Sequence, residues 1–87
     1  MEFNKDKWIK DGVIANMPKK QQDKYKLFVY LASDCFEERK YTEKEINEIL
    51  KRYYGDFCYL RRYMVDFKIL KRTDDGKEYR FNKSVLE

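Results

Sequence analysis

The chain has 87 residues, 43% hydrophobic and 41% charged, with one Pro, three Gly, no His and a net charge of +4. That length holds one hydrophobic core with little stability to spare, and the apolar content excludes a disordered chain. The lack of His removes the commonest acid–base group and zinc ligand, and with it most enzyme classes.

Residues 1–10 read as an N-terminal extension in which Trp8 and Ile9 are expected to pack as a short helical turn. Asp11-Gly12 is a turn signal, and Val13-Ile14 reads as a short strand ending before Pro18. A proline fits close to a helix start. Apolar residues at Tyr25, Phe28, Ala32, Cys35 and Phe36 then predict a first helix over about Lys19–Glu37. Arg39-Lys40-Tyr41 is a connector with room for one strand-like rung.

Thr42-Glu43-Lys44-Glu45 has the form of a capping box, with Tyr41 and Ile46 placed as a hydrophobic staple. The second helix carries Ile46, Ile49, Leu50 and Tyr53 on one face and is expected to stop at a left-handed Gly55. Asp56 is the expected cap of a third helix over 56–67. At 100° per residue, Phe57, Leu60, Met64 and Phe67 share its core face, and Cys58, Tyr59, Arg62 and Asp66 lie opposite. A two-residue gap between these helices is helix-turn-helix spacing.

Residues 69–81 read as a hairpin. With Asp75-Gly76 as a two-residue loop, Leu70 pairs with Phe81, Lys71 with Arg80 and Arg72 with Tyr79. Residues 82–87 read as a frayed tail in which Val85-Leu86 can dock. The expected fold is therefore α+β: one winged helix-turn-helix domain over 1–87, with three helices and a C-terminal β-hairpin wing.

The positive charge is concentrated. Residues 55–72 hold five basic and two acidic side chains, a footprint of phosphate binding. On this reading the third helix is a recognition helix entering double-stranded DNA. Arg62 reaches a guanine edge, and Tyr59 touches a phosphate or a thymine methyl. Lys44 and Lys51 on the second helix meet backbone phosphates. Lys71 and Arg80 face each other on the wing, where a polyanion would offset their repulsion. Arg61 is expected to pair with a second-helix acid such as Glu48. Asp66, and Asp74 and Asp75 at the wing tip, oppose phosphate binding.

A competing reading is a protein-interaction or dimerisation module without direct DNA binding. Fifteen residues are aromatic, and Trp8, Tyr30, Tyr54, Tyr59 and Tyr63 have no obvious core position, as at an interface centre. Cys35 and Cys58 read as buried free thiols. No catalytic constellation, metal site or cofactor is expected, since Ser33 and Ser84 lack a base and no Gly-rich phosphate loop occurs. The first residues hold no apolar run of the signal-peptide kind, so a cytoplasmic location away from membranes is expected.

Asp11-Gly12, Pro18-Lys19-Lys20, Tyr41-Thr42-Glu43-Lys44-Glu45-Ile46-Asn47, Ile49-Leu50, Asp56, Leu60-Arg61-Arg62, Val65-Asp66, Leu70, Arg72, Gly76 and Tyr79 occur in this order. Over residues 11–81 the chain resembles a bacterial domain family of unknown function often appended to winged-helix regulators of the ArsR type. Its aromatic third helix and its Trp8 segment depart from that pattern. The resemblance implies a transcription-regulator-associated domain, acting on DNA or on a regulator partner, and names no ligand.

Overall fold

A computed structural model describes residues 4–87, so residues 1–3 of the expected extension lie outside the described residues. Asp11 and Gly12 have φ of 53° and 78°, both positive as a type I′ turn requires. The turn joins β1 (Ile9–Lys10) to β2 (Val13–Ile14), with Ile9 opposite Ile14 and Lys10 opposite Val13. Ile9 is thus a strand residue, not part of the helical turn expected with Trp8. The tight turn draws its neighbours into a ladder, and the Trp8 carbonyl accepts from the N–H groups of Ala15 and Asn16. Helical geometry falls instead on Lys5–Lys7, a 3-10 turn capped by Asn4. The Ile14 N–H donates to the Tyr53 carbonyl at 2.8 Å and hooks this hairpin onto the chain after the second helix.

Helix α1 (Gln21–Cys35) is shorter than the 19–37 expected. Its buried stripe is Lys24, Leu27, Phe28, Leu31 and Ala32, while Tyr25 and Cys35 are half-buried. The stripe is rotated from the predicted one because the fully buried Leu27 and Leu31 carry it, with Lys24 at its edge reaching the Tyr63 hydroxyl.

β3 (Lys40–Thr42) leads directly into α2 (Glu43–Leu50). The capping box forms as expected: Thr42 Oγ1 accepts from the Glu45 N–H at 3.1 Å, and Glu45 Oε1 accepts from the Thr42 N–H at 2.9 Å. Tyr41 and Ile46, the staple pair, are both buried. Gly55 does not take positive φ, contrary to expectation. The chain leaves α2 through turns over Lys51–Tyr53, and the link to α3 runs from Lys51 to Asp56, longer than two residues.

Helix α3 (Phe57–Asp66) starts where Asp56 Oδ1 accepts from the Tyr59 N–H at 3.2 Å. Leu60 and Met64 are fully buried, whereas Phe57 and Phe67, expected in the core, are half-buried. The left-handed helix end lies here, at Lys68 with φ 61°. The Ile69 N–H donates to the Met64 carbonyl and the Lys68 N–H to the Val65 carbonyl, the bond pair of a Schellman motif. Met64 and Ile69 are both buried, so core packing, rather than a glycine, selects this exit.

β4 (Leu70–Arg72) and β5 (Glu78–Phe81) pair in the predicted register: Leu70 with Phe81, Lys71 with Arg80, Arg72 with Tyr79. The loop is longer than two residues. The Gly76 N–H donates to the Thr73 carbonyl, Gly76 has φ 71°, and the Thr73 N–H donates to the Glu78 carbonyl. Lengthening the loop by one residue on each side leaves the register unchanged. The two strands are not a free C-terminal hairpin wing. β3 pairs with the other edge of β5, so the sheet has three strands in the order β3-β5-β4. Residues 83–86 form a 3-10 turn capped by Asn82 and set against α1, with Val85 packed on the core, in place of a frayed tail.

The architecture is mixed α+β, with three helices and two small sheets among the described residues. One core gathers residues from α1, α2, α3 and the inward row of the larger sheet. None of the described helices is long and apolar enough to cross a membrane.

Candidate nucleic-acid interface

Alternation along the strands divides the larger sheet into two faces. Tyr41, Leu70, Tyr79 and Phe81 point inward and are buried. The outward face carries a row formed by Lys40, Arg80 and Lys71, each directly opposite its neighbour on the adjoining strand. All three are exposed. Three like charges in register repel one another, and among the described residues the only carboxylate within 4 Å of them is Glu78, 3.9 Å from Lys40 Nζ. The Lys71–Arg80 pairing agrees with expectation. Lys40 was not foreseen, because its partner strand begins 38 residues later in the chain.

The crest of α3 carries Cys58, Arg62 and Asp66, one turn apart and exposed. Among the described residues Arg62 has no acidic partner within 4 Å, and the same holds for Lys44, Lys51, Lys71, Arg72 and Arg80. Arg61 does pair with a second-helix acid, but with Glu43 at 3.4 Å instead of Glu48, and it also donates to Asn47 Oδ1. This clamp fixes α3 on α2. Lys44 and Lys51 lie roughly 40–60° around α2 from Asn47, so they are exposed beside the clamp.

Tyr59 is not on the open face as expected but half-buried at its edge. Its ring lies 4.7 Å from that of Tyr63 and 6.2 Å from that of Tyr54. Lys24 Nζ sits 4.6 Å from the Tyr63 ring centroid and donates to its hydroxyl at 3.4 Å. Gln21 and Lys24 hold the Tyr63 hydroxyl below its ordinary range. Tyr59 is thereby committed to packing α3 against α1. The other aromatics singled out, Trp8, Tyr30, Tyr54 and Tyr63, are also half-buried. Among the described residues the exposed large hydrophobics are Val13 and Leu86, and these do not form an aromatic patch.

The acids at the sheet tip are partly used within the loop. Asp75 Oδ1 accepts from the Thr73 hydroxyl at 2.5 Å and from the Lys77 N–H at 2.9 Å. These bonds, the Thr73 one foremost, hold its carboxyl below the usual range. The thiols differ from expectation: Cys58 is exposed and Cys35 half-buried. Burial pushes the Cys35 thiol up to about 12, which keeps it protonated at neutral pH.

A family model described as "Uncharacterized protein conserved in bacteria (DUF2087)" matches residues 13–81. The chain belongs to this family. No curated protein and no solved structure matches it. The matched span runs from β2 through β5, so it contains the α2–α3 clamp, the α3 crest and the whole basic row.

Proposed function

We propose that this DUF2087 member is a winged-helix-type domain that binds double-stranded DNA as part of bacterial transcription regulation, alone or appended to an ArsR-type regulator. α3 is the recognition helix, and the three-stranded sheet takes the part of the wing. The observation that carries the reading is the row Lys40–Arg80–Lys71, three exposed cations in register on a sheet next to α3 in the chain. Such a row is unfavourable by itself and favourable against a run of phosphates. The element order, the α2–α3 packing and the unpaired Arg62 support the same reading.

Within it, Arg62 reads a base edge, Lys71 and Arg80 hold backbone phosphates together with Lys40, and Lys44 and Lys51 contact the flanking backbone. The test is fluorescence anisotropy with mixed-sequence and upstream-region duplexes over a salt series. Binding should weaken steeply with salt as counterions are released. Lys71→Ala should weaken all sequences alike and flatten the salt slope by about one, whereas Arg62→Ala should relax sequence preference. Absence of binding at low salt would instead favour the interaction module.

A further inference from the structure

Between α3 and the sheet lies a groove of about 350 Å³ lined by Glu43, Arg61, Arg62, Val65, Asp66, Arg72 and Tyr79. Three guanidinium groups share it. Arg61 is taken up by Glu43 and Asn47, and the Tyr79 hydroxyl donates to the same Glu43 oxygen at 3.5 Å. That leaves Arg62 on the α3 wall and Arg72 on the β4 wall, neither with a carboxylate within 4 Å, and Asp66, one turn beyond Arg62 on α3, as the unpaired acid of the lining.

We propose that this groove is a phosphodiester site, in which one backbone phosphate of duplex DNA seats on the Arg72 fork at the β4 wall, across from the base-reading Arg62 on α3. The inference rests on the DNA-binding reading and deepens it. Arginine suits the task because its planar fork donates two parallel N–H bonds to two phosphate oxygens. Arg72 stands at the strand end beside the loop: a Cβ built on Gly76 would lie 3.5 Å from its Nη1. Arg72, opposite the inward-facing Tyr79, lies on the helix side of the sheet and next in sequence to Lys71 of the outward row, and the proposed phosphate track crosses this edge to the α3 crest. Asp66 sets the limit of that track, since a phosphate displaced toward it meets a like charge.

The experiment is anisotropy of the wild-type chain, Arg72→Ala, Arg72→Lys and Asp66→Asn with two unrelated duplexes, each over a salt series, with excess inorganic phosphate as competitor. Arg72→Ala should weaken both duplexes by the same factor and lower the salt slope by about one. Arg72→Lys should keep the slope while losing part of the affinity, because the charge stays and the fork does not. Asp66→Asn should tighten both duplexes. Competition by inorganic phosphate beyond the effect of matched chloride would mean a free-anion site and would overturn the assignment to duplex DNA. A wild type that binds, with Arg72→Ala binding equally well at the same slope, would overturn the groove and leave the DNA reading standing. A wild type that binds neither duplex at low salt would overturn both. Arg72 is exposed, and circular dichroism of each variant separates lost binding from lost fold.

Discussion

Lys68 occupies a conformation that suits glycine. Left-handed geometry costs an ordinary L-residue roughly 1–2 kcal/mol, and part of that is offset because Gly has more chain entropy to lose on folding. Lys68→Gly should therefore stabilise the domain by about 1 kcal/mol, seen as a higher urea midpoint with an unchanged slope. The converse holds at Gly76, whose φ is 71°. Gly76→Val should destabilise by about 1–2 kcal/mol, with the loss in the sheet amide protections before those of α1. Gly55, without positive φ, should accept Ala at no such cost. The glycine expected to end α2 in left-handed geometry does not, and the left-handed end of α3 falls on a lysine. Residue type pointed to the glycine, but the exit is set by whether the residue after it can be buried, and Ile69 is buried.

Local bonds made the α2 cap readable, since the box needs only Thr42 and Glu45 at the right spacing. Thr42→Ala should cost about 0.5–2 kcal/mol. The carboxyl of Glu45 is held below its usual range, first by the Thr42 N–H and then by Arg39. A depressed native value contributes stability that is complete above the unfolded value, about 4.3 for Glu, and is lost as pH falls through the lower native one. The urea midpoint of the wild type should thus fall below about pH 4, and that of Glu45→Gln should fall less over the same range. The hairpin register was equally legible, because alternation and an Asp-Gly turn specify it from inside one segment. The pairings β1–β2 and β3–β5 were not. Strands of two or three residues are too short to show a period, and the β3 partner lies far along the chain. The basic row needed that distant pairing, so Lys71 and Arg80 could be foreseen while Lys40 could not. The α1 face differs for another reason: apolar residues lie on more than one side of this helix, and packing chose the arc of Leu27 and Leu31 over that of Tyr25 and Cys35.

For the whole molecule, the proposed DNA-binding role of the three-cation row would tie stability to binding. Without a polyanion, Arg80→Thr should stabilise the fold by about 0.2–1 kcal/mol by removing the central charge. It should also reduce the gain in thermal stability that added salt gives the wild type through screening. With duplex DNA present the order should reverse, because only the native state binds and binding raises its apparent stability. Differential scanning fluorimetry with and without duplex, at low and high salt, reads both effects in one experiment. A wild type less stable than Arg80→Thr alone and more stable than it on DNA is the signature of charge kept for a ligand.

In the larger sheet the strand made last during synthesis is the central one. β3 and β4 both wait for β5 at residues 78–81, and neither touches the other. On a ribosome the helices can gather as soon as they emerge, but no rung of that sheet can close until Glu78, the first residue of β5, has left the tunnel. The fold should therefore be completed in a late step dominated by contacts distant in sequence, the slower kind. Pulling on a stalled nascent chain should show its main release of force only at lengths that expose β5. A chain cut after Lys77 should keep helical signal yet lose the cooperative unfolding transition of the complete domain. Substitutions in β5 should slow folding, and those in the β1–β2 hairpin should mainly quicken unfolding.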